Sequence, residues 1–337
     1  MASQQQKRPP QRIAIVGGGI AGIACSWTLR EQDCNVDIYE ADDRLGGHAN
    51  SVPFKGDGRT VNVDTGFIAM DETTYPQFTA FLRKLGVKTI PTDMSFGVSA
   101  DHGAFEWGSY SIQSFCHNLV LLFSIWFWRL VFDILRFSLF AEDILDEDHS
   151  SHESYEAGTR PSEIIPTRRQ LESIGTYLKR HKYSEQFMTY FLMPMVAAPW
   201  CIDPDEFACT FPAKLLIKFM LYHRLLDTVA TTLRWQSFRN GSKTYVDAFQ
   251  KQLPANHRLH LGTDIKSVTQ LPNGASIEFT DGSHREFDHV VLAIHANQAL
   301  QLLGDGATCT QRTVLNAFKT SRNVCYLHSD TSVSLFV

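Results

Sequence analysis

The stretch that most constrains this chain runs from Arg12 to His48, RIAIVGGGIAGIACSWTLREQDCNVDIYEADDRLGGH. It begins with a short apolar run, Ile13-Ala14-Ile15-Val16, that reads as a buried parallel strand. Gly17, Gly19 and Gly22 follow at the spacing G-x-G-x-x-G. Small and apolar residues then recur at helical spacing, and a second strand from Asn35 to Tyr39 ends in Glu40. Each part has a mechanical role in holding a dinucleotide. Gly17 permits the tight turn, Gly19 lets the backbone approach a pyrophosphate, and Gly22 lets the helix sit close on the strand. The helix N-terminus turns its unpaired N–H groups toward the phosphates. Glu40 is placed to accept hydrogen bonds from an adenosine ribose. Glycine-rich turns alone are common; strand, glycines, helix, strand and acid in that order are specific.

Directly after Glu40 the chain reads ADDRLGGHANS, with a second diglycine that a nicotinamide enzyme has no need of. This segment resembles the flavin-containing amine oxidase superfamily, which includes carotenoid and protoporphyrinogen-type desaturases. The resemblance implies FAD as cofactor. It places Arg44, Gly46, Gly47 and His48 along the FAD pyrophosphate, and Asp64, Thr65 and Gly66 in a strand and turn beside the isoalloxazine ring. GGHANS, DTGFIAMDETTYP, MSFGVS, PMVAAPW, FPAKLLIKF, GSKTYV, HVVLAIHANQAL and NVCYLHSD are similar to one branch of FAD-dependent oxidoreductases. That branch often accompanies cyclopropane-fatty-acyl synthase-like methyltransferases, and the likeness covers nearly the whole chain. Two departures from the wider superfamily remove positive charge from the phosphate path. Asp42 and His48 stand where arginines are common.

The expected fold is α/β. A Rossmann-like FAD-binding domain with a central parallel sheet is built from two sequence halves, 11–92 and 235–337, and carries an inserted, mostly helical substrate domain over 93–234. Residues 1–10 form a disordered lead. Strands are expected on both sides of the turn Lys55-Gly56-Asp57-Gly58, and a helix over 75–85 stops at Gly86. Residues 171–190 and 211–226 read as helices. Met193, Met195, Trp200 and Cys201 between them line substrate space if the resemblance holds, and are ordinary core otherwise. Strands recur over 257–261, 264–269, 275–279 and 284–287. The resemblance sends backbone amides around Ile265 to Val268 toward the adenine. His289 to Ile294 is a fully apolar strand of the kind found at a sheet centre, and His295 follows at its ligand-binding end. His295 is thus a cofactor-side candidate, or simply the cap of the next helix. NVCYLHSD reads as a last strand. The superfamily continues to a glycine-rich C-terminal segment that supplies one wall of the flavin site, so the resemblance implies a C-terminally truncated form.

Composition narrows the function. With 31 basic and 36 acidic residues the chain lacks the charge balance of a nucleic-acid binder. Seven scattered cysteines without a C-x-x-C pair fit reduced thiols in a cytoplasmic setting. His149 and His152 lack further ligands at fixed spacing, and no metal is expected. Residues 118–140 form the most apolar stretch, but Arg129, Asp133 and Arg136 interrupt it, so peripheral membrane contact or internal packing is expected rather than a span. No Ser-His-Asp set or paired carboxylates stand out, and the catalytic residues stay unassigned. The expectation is an FAD-dependent oxidoreductase that passes hydride from a substrate carbon to flavin N5. Family context and the apolar middle favour a small, lipid-like, fatty-acyl substrate, by desaturation or double-bond isomerisation. A non-catalytic remnant with weak nucleotide binding and an NAD(P)-dependent dehydrogenase are the alternatives.

Overall fold

The computed structural model describes residues 9–56, 58–92, 97–100, 105–108, 122–146, 172–223, 225–226, 234–320 and 322–329. The lead over 1–8, the C-terminal residues 330–337 and the acidic segment 147–171 with its two histidines lie outside them. The chain divides into two compact units: Met1–Thr92 with Gln236–Leu327, and one centred on Asp93–Trp235.

In the first unit the apolar run and its partners pair as a parallel sheet in the order His257–His260, Cys34–Tyr39, Gln11–Val16, His289–Leu292. The register sets Val16 level with both Tyr39 and Leu292, and Tyr39 level with His260. All four strands therefore release their chains at one edge, the edge where ligands of open α/β sheets bind. Ile15, Val36 and Ile38 bury one sheet face with Ile23 of helix Ile20–Leu29 and with Phe249 of helix Lys243–Lys251. On the other face Ala14, Val16 and Tyr39 pack against Val268, Ile277, Phe279 and Phe287 of an antiparallel three-stranded sheet, Ile265–Leu271, Gly274–Phe279 and His284–Phe287.

Two strand expectations change. The apolar strand at His289 lies at the edge of the described sheet, and its side chains are only half-buried. A four-residue apolar run fits a sheet centre or an edge equally; pairing with Ile13–Val16 on one side only decided it. The expected last strand does not form. Residues 322–329 have no regular structure, and Val324 and Tyr326 are exposed.

The hairpin Ser51–Gly56 and Arg59–Asp64 forms as its turn residues predict. Helix Pro76–Leu85 ends where Gly86 adopts φ +72°, its N–H returning to the carbonyls of Leu82 and Arg83.

The second unit is mostly helical beyond one hairpin, Gly97–Ala100 with Phe105–Gly108. Helices Ile125–Phe140, Ile174–Arg180, Met193–Trp200, Pro204–Thr210 and Ala213–Tyr222, with a π-helix over Phe187–Leu192, bury a core that includes Leu130, Phe187, Leu192, Phe207 and Leu216. Met193 and Met195 belong to that core, Trp200 packs at its margin, and Cys201 is exposed. The helix expected over 171–190 is broken. Lys182 takes φ +57°, and the Ser184 N–H donates to the buried Asp133 carboxylate at 2.8 Å. Satisfying a carboxylate with no solvent access outweighs continuing the helix. No helix among the described residues is long and apolar enough to cross a membrane.

Candidate cofactor site

The glycines of the first motif differ in what surrounds them. Gly17 has φ +107°, and a Cβ there would lie 2.4 Å from the Ala293 carbonyl oxygen. A Cβ on Gly22 would lie 1.9 Å from the Gly17 carbonyl oxygen, so helix and turn meet backbone to backbone. Gly18, passed over in the motif, is equally constrained: its Cβ would meet the Leu45 side chain at 2.4 Å and Glu40 Oε2 at 2.9 Å. Gly19 alone of the four faces nothing within 4 Å. Its freedom from a side chain serves no protein neighbour and leaves room for a ligand.

Glu40 ties this turn together. Its Oε2 accepts from the Gly18 N–H at 2.6 Å and its Oε1 from the Asp42 N–H at 2.9 Å. An ionised carboxylate has about four acceptor positions, so a ribose hydroxyl can still bind. The Gly46 N–H donates to the Gly18 carbonyl at 2.9 Å and brings the diglycine loop over the first motif. Gly46 and Gly47 both have positive φ, +114° and +55°, and a Cβ on Gly47 would lie 3.2 Å from the Gly19 Cα. Arg44 fixes the loop from inside. Its guanidinium donates to the Gly47 carbonyl at 3.2 Å and sits 3.7 Å from the Asp42 carboxylate.

These loops line a cavity of about 1120 Å³, above the ~300–1,000 Å³ usual for small-molecule sites. Gly17, Gly19, Glu40, Arg44, Gly46, Gly47, His48 and His295 all line it. The imidazoles of His48 and His295 approach from opposite segments, with ring centroids 6.1 Å apart. His295 is also the residue before helix Ala296–Leu303, and its N–H donates to Gln298 Oε1 at 3.3 Å. Both of its expected placements thus coincide. Phe67, Tyr75, Phe78 and Tyr245 form an aromatic wall; Phe78 meets Tyr245 edge-on at 5.1 Å. Burial pushes the Tyr245 phenol up to about 12, so it stays protonated at neutral pH. GSKTYV stood among the segments similar to the flavoprotein branch, but its tyrosine was not singled out, because only the packing of Lys243–Lys251 turns that ring toward the cavity.

Four expected contacts lie elsewhere. Asp64 Oδ1 accepts from Ser51 Oγ at 2.6 Å, from the Ser242 N–H at 2.9 Å and from Ser242 Oγ at 2.7 Å. Thr65 and Asn50 bond each other through side chains and backbone. A Cβ on Gly66 would lie 2.3 Å from the His48 carbonyl oxygen. This trio braces the far side of the diglycine loop and does not line the cavity. Val268 is core, and Thr263, Asp264 and Ile265 upstream of it are the lining residues. Ser51 and Ser242 were missed, since a serine that opens a strand or a helix carries no signal of a partner far along the chain.

The cavity fits a bound dinucleotide. The amides of Ile20, Ala21 and Gly22 open the helix with no carbonyl behind them, beside the cradle that Gly19 leaves open. Arg44 is the only Lys or Arg side chain among the lining residues, so a phosphate held here would meet mainly backbone N–H groups. Among the described residues no group of three metal-donor side chains comes together.

Known proteins agree with this geometry. The family described as flavin containing amine oxidoreductase matches residues 20–325. Prenylcysteine oxidase 1 of Mus musculus is 25% identical over 215 residues, 58% of this chain and 39% of its own length. Among solved structures, cyclohexylamine oxidase from Brevibacterium oxydans IH-35A superposes with TM-score 0.66 at 17% identity, and a CLA-producing fatty acid isomerase from P. acnes with TM-score 0.61 at 16%. Each covers 91% of this chain, which spans 63% of each solved chain. The fold is theirs, and FAD is the cofactor of this group. On the match across 20–325, the chain belongs to the flavin-containing amine oxidoreductase family.

Proposed function

We propose that this chain binds FAD and serves an oxidoreductase activity on a lipid-like, fatty-acyl substrate, by desaturation or double-bond isomerisation. The observation that carries the reading is the open face of Gly19 opposite Gly47, in a cavity that ends in an aromatic wall. FAD held there would supply the redox chemistry, a hydride acceptor for a substrate carbon. The chain's own residues bind, orient and exclude water. Glu40 holds the adenosine ribose, and the amides of Ile20 and Ala21 hold the pyrophosphate. Arg44 keeps the diglycine loop closed over it. Asp64, Thr65 and Gly66 hold that loop from outside. Phe67, Phe78 and Tyr245 keep water from one end of the cavity, and the Tyr245 hydroxyl serves there as a hydrogen-bond donor rather than a base.

The fatty-acyl preference is supported by two relatives whose names carry lipid substrates, the prenylcysteine oxidase and the fatty acid isomerase. The first experiment is an absorbance spectrum of the purified chain, with the released cofactor identified after denaturation. About one FAD per chain is expected. Anaerobic bleaching of that flavin by unsaturated fatty acyl compounds, and not by simple amines, would carry the substrate class. A chain that stays colourless with FAD in excess would overturn the reading.

A further inference from the structure

Helix Ile125–Phe140 of the second unit has two unlike faces. Phe127, Leu130, Asp133 and Phe137 point inward and are buried. On the outer face Ile125, Trp128, Phe132, Leu135 and Leu139 recur at steps of three and four, with exposures of 87, 56, 54, 52 and 71%. Five large apolar side chains along about 21 Å of one helix face are a continuous stripe, not the scattered surface hydrophobes of an ordinary protein. Arg129 and Arg136 form a row along one flank. Both pair with Asp133, at 2.9 and 3.3 Å, and both donate to backbone carbonyls, of Lys182 at 2.6 Å and His181 at 3.1 Å. Two guanidinium groups against one carboxylate leave the flank positive. The segment they hold adds Lys179 and Lys182, both exposed. Glu142, Asp143 and Glu185 are the exposed acids close by in sequence.

We propose that this face docks on a bilayer surface bearing anionic lipid headgroups. The stripe lies along the boundary between headgroups and acyl chains, with the exposed Lys179 and Lys182 and the half-exposed Arg129 against the headgroups. An apolar face with a basic border is the pattern of helices that lie in this plane, and Trp128 is of the residue type enriched there. The helix lies on the surface rather than across it, because Asp133 and its two arginines are locked into the unit's own packing. A second copy fits less well, since self-pairing of the stripe brings two rows of like charge together. The inference stands whether or not the first unit holds FAD.

The test is co-sedimentation of the purified full chain with phosphatidylcholine vesicles, with and without phosphatidylserine. Binding to the anionic vesicles that weakens as salt is raised is expected. Leu135→Gln with Leu139→Gln should cut partitioning at least about tenfold. Lys179→Gln and Lys182→Gln should each cut it about fivefold on anionic vesicles and leave the neutral ones unchanged. All four side chains are exposed, so the variants keep the fold, and unchanged thermal unfolding checks this. Equal partitioning into neutral and anionic vesicles, or binding to neither, would overturn the proposal. So would self-association that the Leu139 variant abolishes while vesicles pellet no protein.

Discussion

Glu40 and Asp64 each end a strand of the first unit and each accept backbone N–H groups, yet they do opposite things with the space around them. Asp64 is enclosed: hydroxyls of Ser51 and Ser242 and the Ser242 amide use its Oδ1, and Gly241, at φ +82°, passes close because a Cβ would lie 2.3 Å from Ser51 Oγ. Glu40 binds two amides and still faces the cavity. The glycines divide the same way. Gly22 and Gly66 are small because protein backbone fills the space beside them, and Gly19 is small although nothing does. Space that the fold leaves empty at a residue with no side chain is the mark of a ligand site. Space that backbone fills is the mark of a hinge of the fold.

The largest test of this division is Gly22→Ala. A Cβ 1.9 Å from a carbonyl oxygen moves helix Ile20–Leu29 off its strand, at a cost of about 3 kcal/mol or more. The urea midpoint should fall steeply, with cofactor binding lost as a consequence. Asp64→Ala comes next. It strips hydrogen bonds to a charged group and leaves buried donors unpaired, a loss of about 3 kcal/mol. Retained FAD affinity in whatever fraction stays folded would sharpen the contrast with Glu40.

The decisive comparison is Gly19→Ala with Glu40→Gln. Stability should change by no more than about 1 kcal/mol at Gly19, while FAD affinity, read by flavin fluorescence, falls about tenfold or more in each variant. A Gly19→Ala protein that binds FAD as before would break the division outright.

The smallest effect is one of pH. His257 opens an edge strand of the parallel sheet with its side chain buried, its Nδ1 2.9 Å from Ser26 Oγ, and burial holds its pKa below the ordinary histidine value. The unfolded chain therefore binds the proton first as pH falls. Stability is fully present above about pH 6.5 and is lost as pH drops from there through the folded value. His257→Gln should flatten that slope in denaturation midpoints measured between pH 5 and pH 7, values set by the ordinary histidine range of ~6.5.

The sequence by itself determined the strand-turn-helix unit at the edge of the sheet. Strand, glycines, helix and terminal acid are local in the chain, each demand falls on backbone conformation, and glycine records such demands directly; hence the close turns at Gly17, Gly22 and Gly46 were legible. Asp64 was not, because the carboxylate that ends a hairpin reads the same whether a cofactor or two distant serines take its hydrogen bonds. The same holds for Tyr245, whose ring reaches the cavity only through the packing of its helix, and for Val268, which is buried in the core while Ile265 of the same strand reaches the cavity. Helix Ile125–Phe140 was legible as apolar, but which of its faces stays outside was decided when Asp133 turned inward to meet Arg129, Arg136 and Ser184. Backbone geometry is written locally. Who fills a space is settled only when residues far apart in the chain are brought together.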